Sequence, residues 1–203
     1  MVKLNVKIRN LGLRKIEMIS NSMKDFTVMR NKYTLDEIWL VQHYPVFTYG
    51  VSEKEYNWFI PKRIPIIFIN RGGKTTYHGP GQIVTYFLLD LIRRNINIKT
   101  LMLLMQNVVM STLKCFSIHS YILEQFPGIY VNDKKICSFG LRIKKGCSLY
   151  GMSLNIDMDL SPFSYINPCG NNIKMTQIVD VKPNLNFRTV QLALMNNIKK
   201  YFL

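Results

Sequence analysis

The chain has 203 residues and is 48% hydrophobic, enough for one domain around a buried core. This composition excludes a disordered, collagen-like or disulfide-stapled chain. It carries 27 Lys+Arg against 12 Asp+Glu, a net charge of +15, which favours acidic partners such as nucleic acid, a membrane surface or an acidic protein. The cations are scattered rather than blocked, however, and abundant Lys, Asn and Ile also follow from AT-rich coding.

Lys3 to Arg9 alternates, with Leu4, Val6 and Ile8 on one face and cations and Asn5 on the other, which predicts a half-buried strand. From Leu13 to about Arg30, Ile16, Ile19, Met23 and Phe26 recur at helical spacing. Ile38–His43 reads as a buried strand ended by Pro45, and Ile64–Asn70 as a second apolar, β-branched run leading into a glycine loop. Gln82–Leu91 leaves that loop as another strand. Leu101 to about Leu113 is apolar at helix length, a helix buried between layers. Residues 128–157 then form a hairpin or meander, with Asn132-Asp133 and Lys145-Gly146 between strand-like runs. Phe187–Phe202 closes the chain as an amphipathic helix, with Val190, Leu194 and Ile198 on one face and Asn186 as its cap. The sum is one α+β domain over residues 1–203, a mixed sheet covered by about three helices.

Four cysteines (Cys115, Cys137, Cys147, Cys169) form no C-x-x-C pair, and the opening MVKLNVKIRN lacks a signal peptide's apolar core. The uncharged stretch LMLLMQNVVMSTL is too short and too polar to span a bilayer. Reduced thiols in the cytoplasm are expected, with no membrane partner.

The chemistry concentrates in "RGGKTTYHGPGQ", Arg71–Gln82. Gly73-Lys74-Thr75 ends like a phosphate-binding loop, but Phe68 stands where that loop needs its first glycine. Pro80 and Gly81 also break any helix that would follow. Tight turns alone would not need Arg71, Tyr77 and His78 together, so the density of donors points to a binding loop. Cys169 sits at a bend in "INPCGNN", whereas Cys115 and Cys137 look like small core fillers. A nucleophilic cysteine needs a nearby cation or helix N-terminus to favour its thiolate, and Lys134 and Lys135 are candidates.

"RGGKTTYHGPGQ" resembles the R-G-G-x-x-T-Y-H-G-P-G-Q signature of the lipoyl(octanoyl) transferases. "HYPVFTYG" (43–50), "GIYVNDKKICSFGLRI" (128–143) and "GMSLNIDMDLSPFSYINPCG" (151–170) resemble the same family in the same order, over essentially the whole chain. The resemblance implies a biotin/lipoate protein ligase-like fold, akin to class II aminoacyl-tRNA synthetase catalytic domains. It implies transfer of an octanoyl group from octanoyl-acyl carrier protein to a lysine of lipoyl domains, those of 2-oxoacid dehydrogenases and the glycine-cleavage H protein, with no cofactor or metal. By position, Cys169 matches the acyl-accepting cysteine and Lys135 the lysine that lowers its pKa. Arg71, Gly72, Gly73, Lys74, Thr75, Thr76, Tyr77 and His78 match substrate-enclosing positions, as do Ser138, Phe139, Gly140, Gly151, Met152 and Ser153.

On this resemblance Lys135 or His78 would serve as base in the second step. Backbone N–H groups near Gly72–Gly73 or Cys169 would hold the oxyanion. Phe139, Met152 and Tyr77 would line the apolar slot. The sequence departs from the family at Asn70 (commonly Asp), Tyr150 (commonly His) and Ser153 (commonly Ala). Two alternatives remain: an ATP-dependent lipoate or biotin ligase on the same fold, and a basic nucleic-acid-binding module. The +15 charge alone supports the second, since no nucleic-acid-binding motif is present, and no nucleic-acid partner is expected.

Overall fold

The computed structural model describes residues 5–53, 61–166 and 173–203. In chain order the elements are β1 (Val6–Arg14), α1 (Ile16–Met29), β2 (Asp36–His43), β3 (Val46–Tyr49), β4 (Ile66–Phe68), β5 (Thr76–His78) and β6 (Gln82–Leu88). They continue as α2 (Ile98–Lys114), β7 (Tyr121–Ile122), β8 (Ile129–Val131), β9 (Lys134–Lys144), β10 (Cys147–Asn155), a 3-10 turn at Ser161–Tyr165, α3 (Ile178–Val181) and α4 (Phe187–Phe202).

Seven strands form a mixed sheet in the order β1-β2-β6-β10-β9-β8-β7, and three more form a small sheet, β4-β3-β5. Strands β2, β6 and β10 lie centrally and are buried on both faces, which is why they read as continuous apolar runs. On one face, Leu101, Met105, Val108 and Val109 of α2 and Val190, Leu194 and Ile198 of α4 pack on Phe87, Met152 and Leu154. On the other, Ile16, Ile19 and Met23 of α1 pack on Trp39, Val84, Tyr86 and Leu88. Asn186 caps α4 by accepting from Thr189 N–H at 2.9 Å. Asn97, which the sequence reading passes over, caps α2 by accepting from Thr100 N–H at the same distance.

Turn chemistry fixes the meander. Asn132 and Asp133 both hold positive φ (48° and 59°), as do Lys145 and Gly146 (51° and 74°), the backbone of tight two-residue hairpin turns. Several expectations change. Strand β1 runs on to Arg14 through a register shift between Asn10 and Leu13, where Gly12 has φ +65°, so α1 begins at Ile16 rather than Leu13. The apolar run 64–70 yields only the three-residue β4, an edge strand of the small sheet with Ile66 and Phe68 exposed. Cys115 is exposed at the end of α2 instead of filling the core, while Cys137 and Cys147 are buried, and all three are free thiols.

Near the start of β2, Asp36 is fully buried and accepts from Arg30 Nη2 (2.5 Å), Arg93 Nη2 (2.7 Å), Arg94 Nε (2.6 Å) and Asp90 N–H (2.9 Å). Burial alone would raise this carboxyl, but those donors together hold it below the usual carboxylate range.

Candidate functional site

A cavity of about 500 Å³ opens on the α1 face of the sheet. Its floor follows from register. Val84 pairs with Ser153, which pairs with Ser138, and Tyr86 pairs with Gly151, which pairs with Gly140. Directly opposed residues share a face, so Ser138, Gly140, Gly151 and Ser153 form one patch with almost no side chains. Phe139 and Met152 border the cavity but belong by alternation to the opposite face, where they join the α2/α4 core. Val84, Tyr86, Tyr150, Ile69 and Ile16 wall the floor, and Ile98, Met102 and Phe126 border the cavity from the α2 side.

The Arg71–His78 loop lies over this floor. Gly72 N–H donates to Leu141 O at 3.0 Å. A Cβ on Gly140 would come within 3.1 Å of Gly72 O and 3.2 Å of Arg71 Cδ, so glycine there is what lets the loop settle on the strand. The Gly72 N–H expected to hold an oxyanion is therefore already committed. Thr75 pins the far end, its N–H and hydroxyl both donating to Glu53 Oε2 at 2.8 and 2.7 Å. The next element is strand β5 and not a helix, so the resemblance to a phosphate loop ends at Gly73–Thr75. On β5, Thr76 and His78 face the cavity. Tyr77 points away, packing on Phe47 and Phe163 with ring centroids at 5.2 and 5.6 Å, and so does not line the expected slot.

Arg71 and His78 anchor one polar network. Arg71 Nη2 donates to Thr48 O and Thr48 Oγ1, both at 2.9 Å, and Nη1 to Gly72 O at 3.0 Å. Burial lowers the guanidinium to about 10, which leaves it charged at neutral pH. Gln82 Nε2 donates to Asn155 Oδ1 (2.9 Å), so Gln82 Oε1 accepts from His78 Nδ1 (2.7 Å), and His78 Nε2 accepts from the Thr48 hydroxyl (3.3 Å). Burial lowers His78 to about 3. With Nδ1 donating to Gln82 and Nε2 accepting from Thr48, His78 ties the loop to β6 and β3, and both of its ring nitrogens are already engaged. Asn155 Nδ2 continues to Thr176 O (3.0 Å), and Thr176 N–H to Lys135 O (2.9 Å).

Lys135 is the second residue of β9 and is only 4% exposed. Its Nζ donates to Pro127 O at 3.0 Å and lies 5.3 Å from the Tyr130 ring centroid. Its N–H donates to Lys174 O at 2.9 Å, so the chain from Lys174 to Thr176 runs alongside it. Cys169, five positions before Lys174 in the sequence, lies outside the described residues. The structure thus brings Lys135, Arg71–Thr76, His78, Ser138–Gly140 and Gly151–Ser153 to one cavity and leaves Tyr77 out. Sequence reasoning misses Thr48, Asn155 and the aromatic wall. Asn155, a buried polar residue at the end of a buried strand, is the visible signal.

An apolar trough with a charged, hydrogen-bonding rim suits an acyl chain with a polar head. Residues 23–199 match the family model of the lipoyl protein ligase A/B catalytic domain. The chain is 61% identical over 202 residues to an octanoyltransferase of Buchnera aphidicola subsp. Baizongia pistaciae, covering 100% of both. It is 48% identical over 194 residues to an octanoyltransferase of Klebsiella pneumoniae subsp. pneumoniae, covering 95% of this chain and 91% of that one. Among solved structures, it superposes on a bipartite lipoate protein ligase of Thermoplasma acidophilum with TM-score 0.79 at 14% identity, over 98% of this chain and 84% of that one. A biotin protein ligase of Aquifex aeolicus gives TM-score 0.53 at 12% identity, over 97% and 68%. The α+β architecture is thus that of the lipoate and biotin protein ligases. The chain belongs to the lipoyl protein ligase A/B catalytic domain family, and both relatives named above, matched over 95% of the chain or more, are octanoyltransferases.

Proposed function

We propose that octanoyl transfer by this chain passes through a thioester on Cys169, with Lys135 as the cation that favours its thiolate. The chain is an acyltransferase of protein lipoylation, as its full-length identity to octanoyltransferases establishes. The Cys169 thiolate attacks the carbonyl of an octanoyl thioester on acyl carrier protein, and the carrier thiolate leaves and takes a proton. One thioester replaces another, so this step is close to isoenergetic. The ε-amine of a lipoyl-domain lysine then attacks the acyl-enzyme, losing a proton as the amide forms and Cys169 is released. Amide formation from a thioester is downhill, and the sequence of steps needs no ATP. Lys135, once it has given its own proton to the departing carrier thiolate, is the candidate for taking the proton of the attacking amine, since both ring nitrogens of His78 are already hydrogen-bonded.

The observation that carries this reading is the side-chain-free floor at Gly140 and Gly151, with Lys135 buried on the border of the same cavity. A flexible apolar chain fits on that floor. Acyl carrier protein as donor, lipoyl domains of 2-oxoacid dehydrogenases and the glycine-cleavage H protein as acceptors, and a cytoplasmic setting belong to the same proposal.

Intact-mass measurement after incubation with octanoyl-carrier protein, without ATP, tests it. An octanoyl adduct is expected on the wild-type chain and none on Cys169→Ala. An adduct retained by Cys169→Ala removes that residue from the mechanism. Transfer that appears only with ATP and free octanoate supports a ligase instead.

A further inference from the structure

One line of hydrogen bonds runs from the Arg71–His78 loop to the chain beside Lys135, and every donor in it points the same way. Arg71 Nη2 donates to Thr48 Oγ1 (2.9 Å), the Thr48 hydroxyl to His78 Nε2 (3.3 Å), and His78 Nδ1 to Gln82 Oε1 (2.7 Å). Gln82 Nε2 then donates to Asn155 Oδ1 (2.9 Å), and Asn155 Nδ2 to Thr176 O (3.0 Å). A guanidinium can only donate and a backbone carbonyl can only accept, so the two ends fix the direction of every link between them. Bonds aligned in this way polarise and strengthen one another. Gln82, Asn155 and Thr176 are buried, so bulk water does not make good a broken link.

Asn155 ends β10 opposite Gln82, the first residue of β6. It does not border the cavity, so any part it has in the chemistry acts through the groups it holds. The group it holds is the segment 174–176. Lys135 N–H donates to Lys174 O and Thr176 N–H to Lys135 O, both at 2.9 Å. The Thr176 hydroxyl donates to Asp180 Oδ2 at 3.1 Å. Asn155 adds the side-chain bond that ties this segment to the central sheet. Thr176 stands seven positions after Cys169 in the sequence.

We propose that Asn155 is a positioning residue: by holding Thr176, it keeps the chain that follows Cys169 beside the lysine that favours its thiolate. This rests on the thioester reading above. Without the amide of Asn155, the Thr176 carbonyl loses this donor and the segment shifts relative to Lys135.

The test uses the full chain and reads the pH profile of Cys169 alkylation, kcat and KM for octanoyl-carrier protein, and the thermal midpoint. Peptide mass separates Cys169 from the exposed Cys115. Asn155→Ala removes both bonds. Asn155→Asp keeps the shape and the bond from Gln82, but an ionised carboxylate has nothing to donate to Thr176 O. In both, alkylation near neutral pH is expected to slow about three- to tenfold, with its profile displaced to higher pH. We expect kcat to fall about tenfold with KM almost unchanged, the mark of a misplaced reacting group. The alanine variant adds no charge, so a displacement shared by the two reports position and not the new carboxylate. In the Lys135→Met background neither substitution slows alkylation further, because the lysine through which Asn155 acts is gone. A midpoint that falls while the profile and kcat keep their wild-type values overturns the proposal. So does equal slowing with and without Lys135. Failure of both variants to fold also overturns it, by assigning Asn155 to the fold alone. A wild-type chain that forms no octanoyl adduct overturns the thioester reading instead, whatever the Asn155 variants do.

Discussion

The stem of Lys135 lies against the bare Cα of Gly128: a methyl group there would come within 2.6 Å of Lys135 Cε and 3.0 Å of Cδ. Glycine at 128 is thus part of how Lys135 is aimed. Gly128→Ala is expected to displace the ammonium and cut kcat by up to about 100-fold while leaving the fold intact, the scale expected for a misplaced catalytic group. The pH profile of Cys169 alkylation checks it, because a shift to higher pH reports lost thiolate stabilisation and a purely structural role would not move it.

Lys135→Met keeps the apolar stem and removes the charge. Alkylation of Cys169 near neutral pH is expected to slow about tenfold, as the thiol returns toward an ordinary cysteine pKa. An unchanged alkylation profile would exclude Lys135 from thiol activation.

Two buried histidines make stability fall in acid. His43 donates from Nδ1 to Arg14 O (2.9 Å) and accepts at Nε2 from the Tyr86 hydroxyl (2.7 Å). Burial lowers His43 to about 4 and His78 to about 3, both beneath the ordinary imidazole value. The unfolded chain therefore binds protons that the folded one refuses. Their contribution is complete above about pH 6.5 and drains away as pH falls toward the folded values, by roughly 1 kcal/mol per pH unit per histidine. Urea midpoints are expected to drop between about pH 6.5 and about pH 5, with a shallower slope in His43→Gln.

Asp36 neutralises part of a buried cluster of three arginines. Asp36→Asn should cost about 3–5 kcal/mol, because the remaining cations lose their counter-charge in a buried setting. Thermal unfolding reads this directly. Octanoyl transfer by the surviving folded fraction should be unchanged, since this cluster does not border the cavity.

Lys74 at the cavity border and Lys134, Lys144 and Lys145 on the adjoining hairpins are all exposed. If they receive an acidic carrier protein, added salt raises KM for the carrier and leaves kcat almost unchanged. A KM indifferent to salt would assign these lysines no part in docking.

What the sequence discloses depends on how local its cause is. Asn132-Asp133, Lys145-Gly146 and the Asn186 cap are legible because a positive φ or an open helix end demands those residue types at that spot. The end of β1 is not, because the shift between Asn10 and Leu13 breaks its alternation and leaves Leu13 in phase with the helix that follows. Ile66 and Phe68 read as interior by composition, and only sheet order places them at an edge. The Arg71–His78 loop was recognisable as a site, but which of its residues face the cavity depends on the phase of a three-residue strand. The resemblance likewise brings Phe139 and Met152 to the slot, whereas strand phase gives the floor to their smaller neighbours. Lys135 and Cys169 stand apart in sequence, and their pairing came only from family resemblance.

Strand β8 pairs with β9 only as far as Cys137, so from Ser138 onward the outer edge of β9 meets no strand among the described residues. Such an edge is a template on which another chain can add a strand. The Gly72 N–H bond to Leu141 O occupies part of that template. The Arg71–His78 loop, which lies over the cavity floor, therefore also covers part of an open strand edge. The Leu141 carbonyl is one a docking strand would otherwise use, and the bond from Gly72 leaves it engaged within the chain.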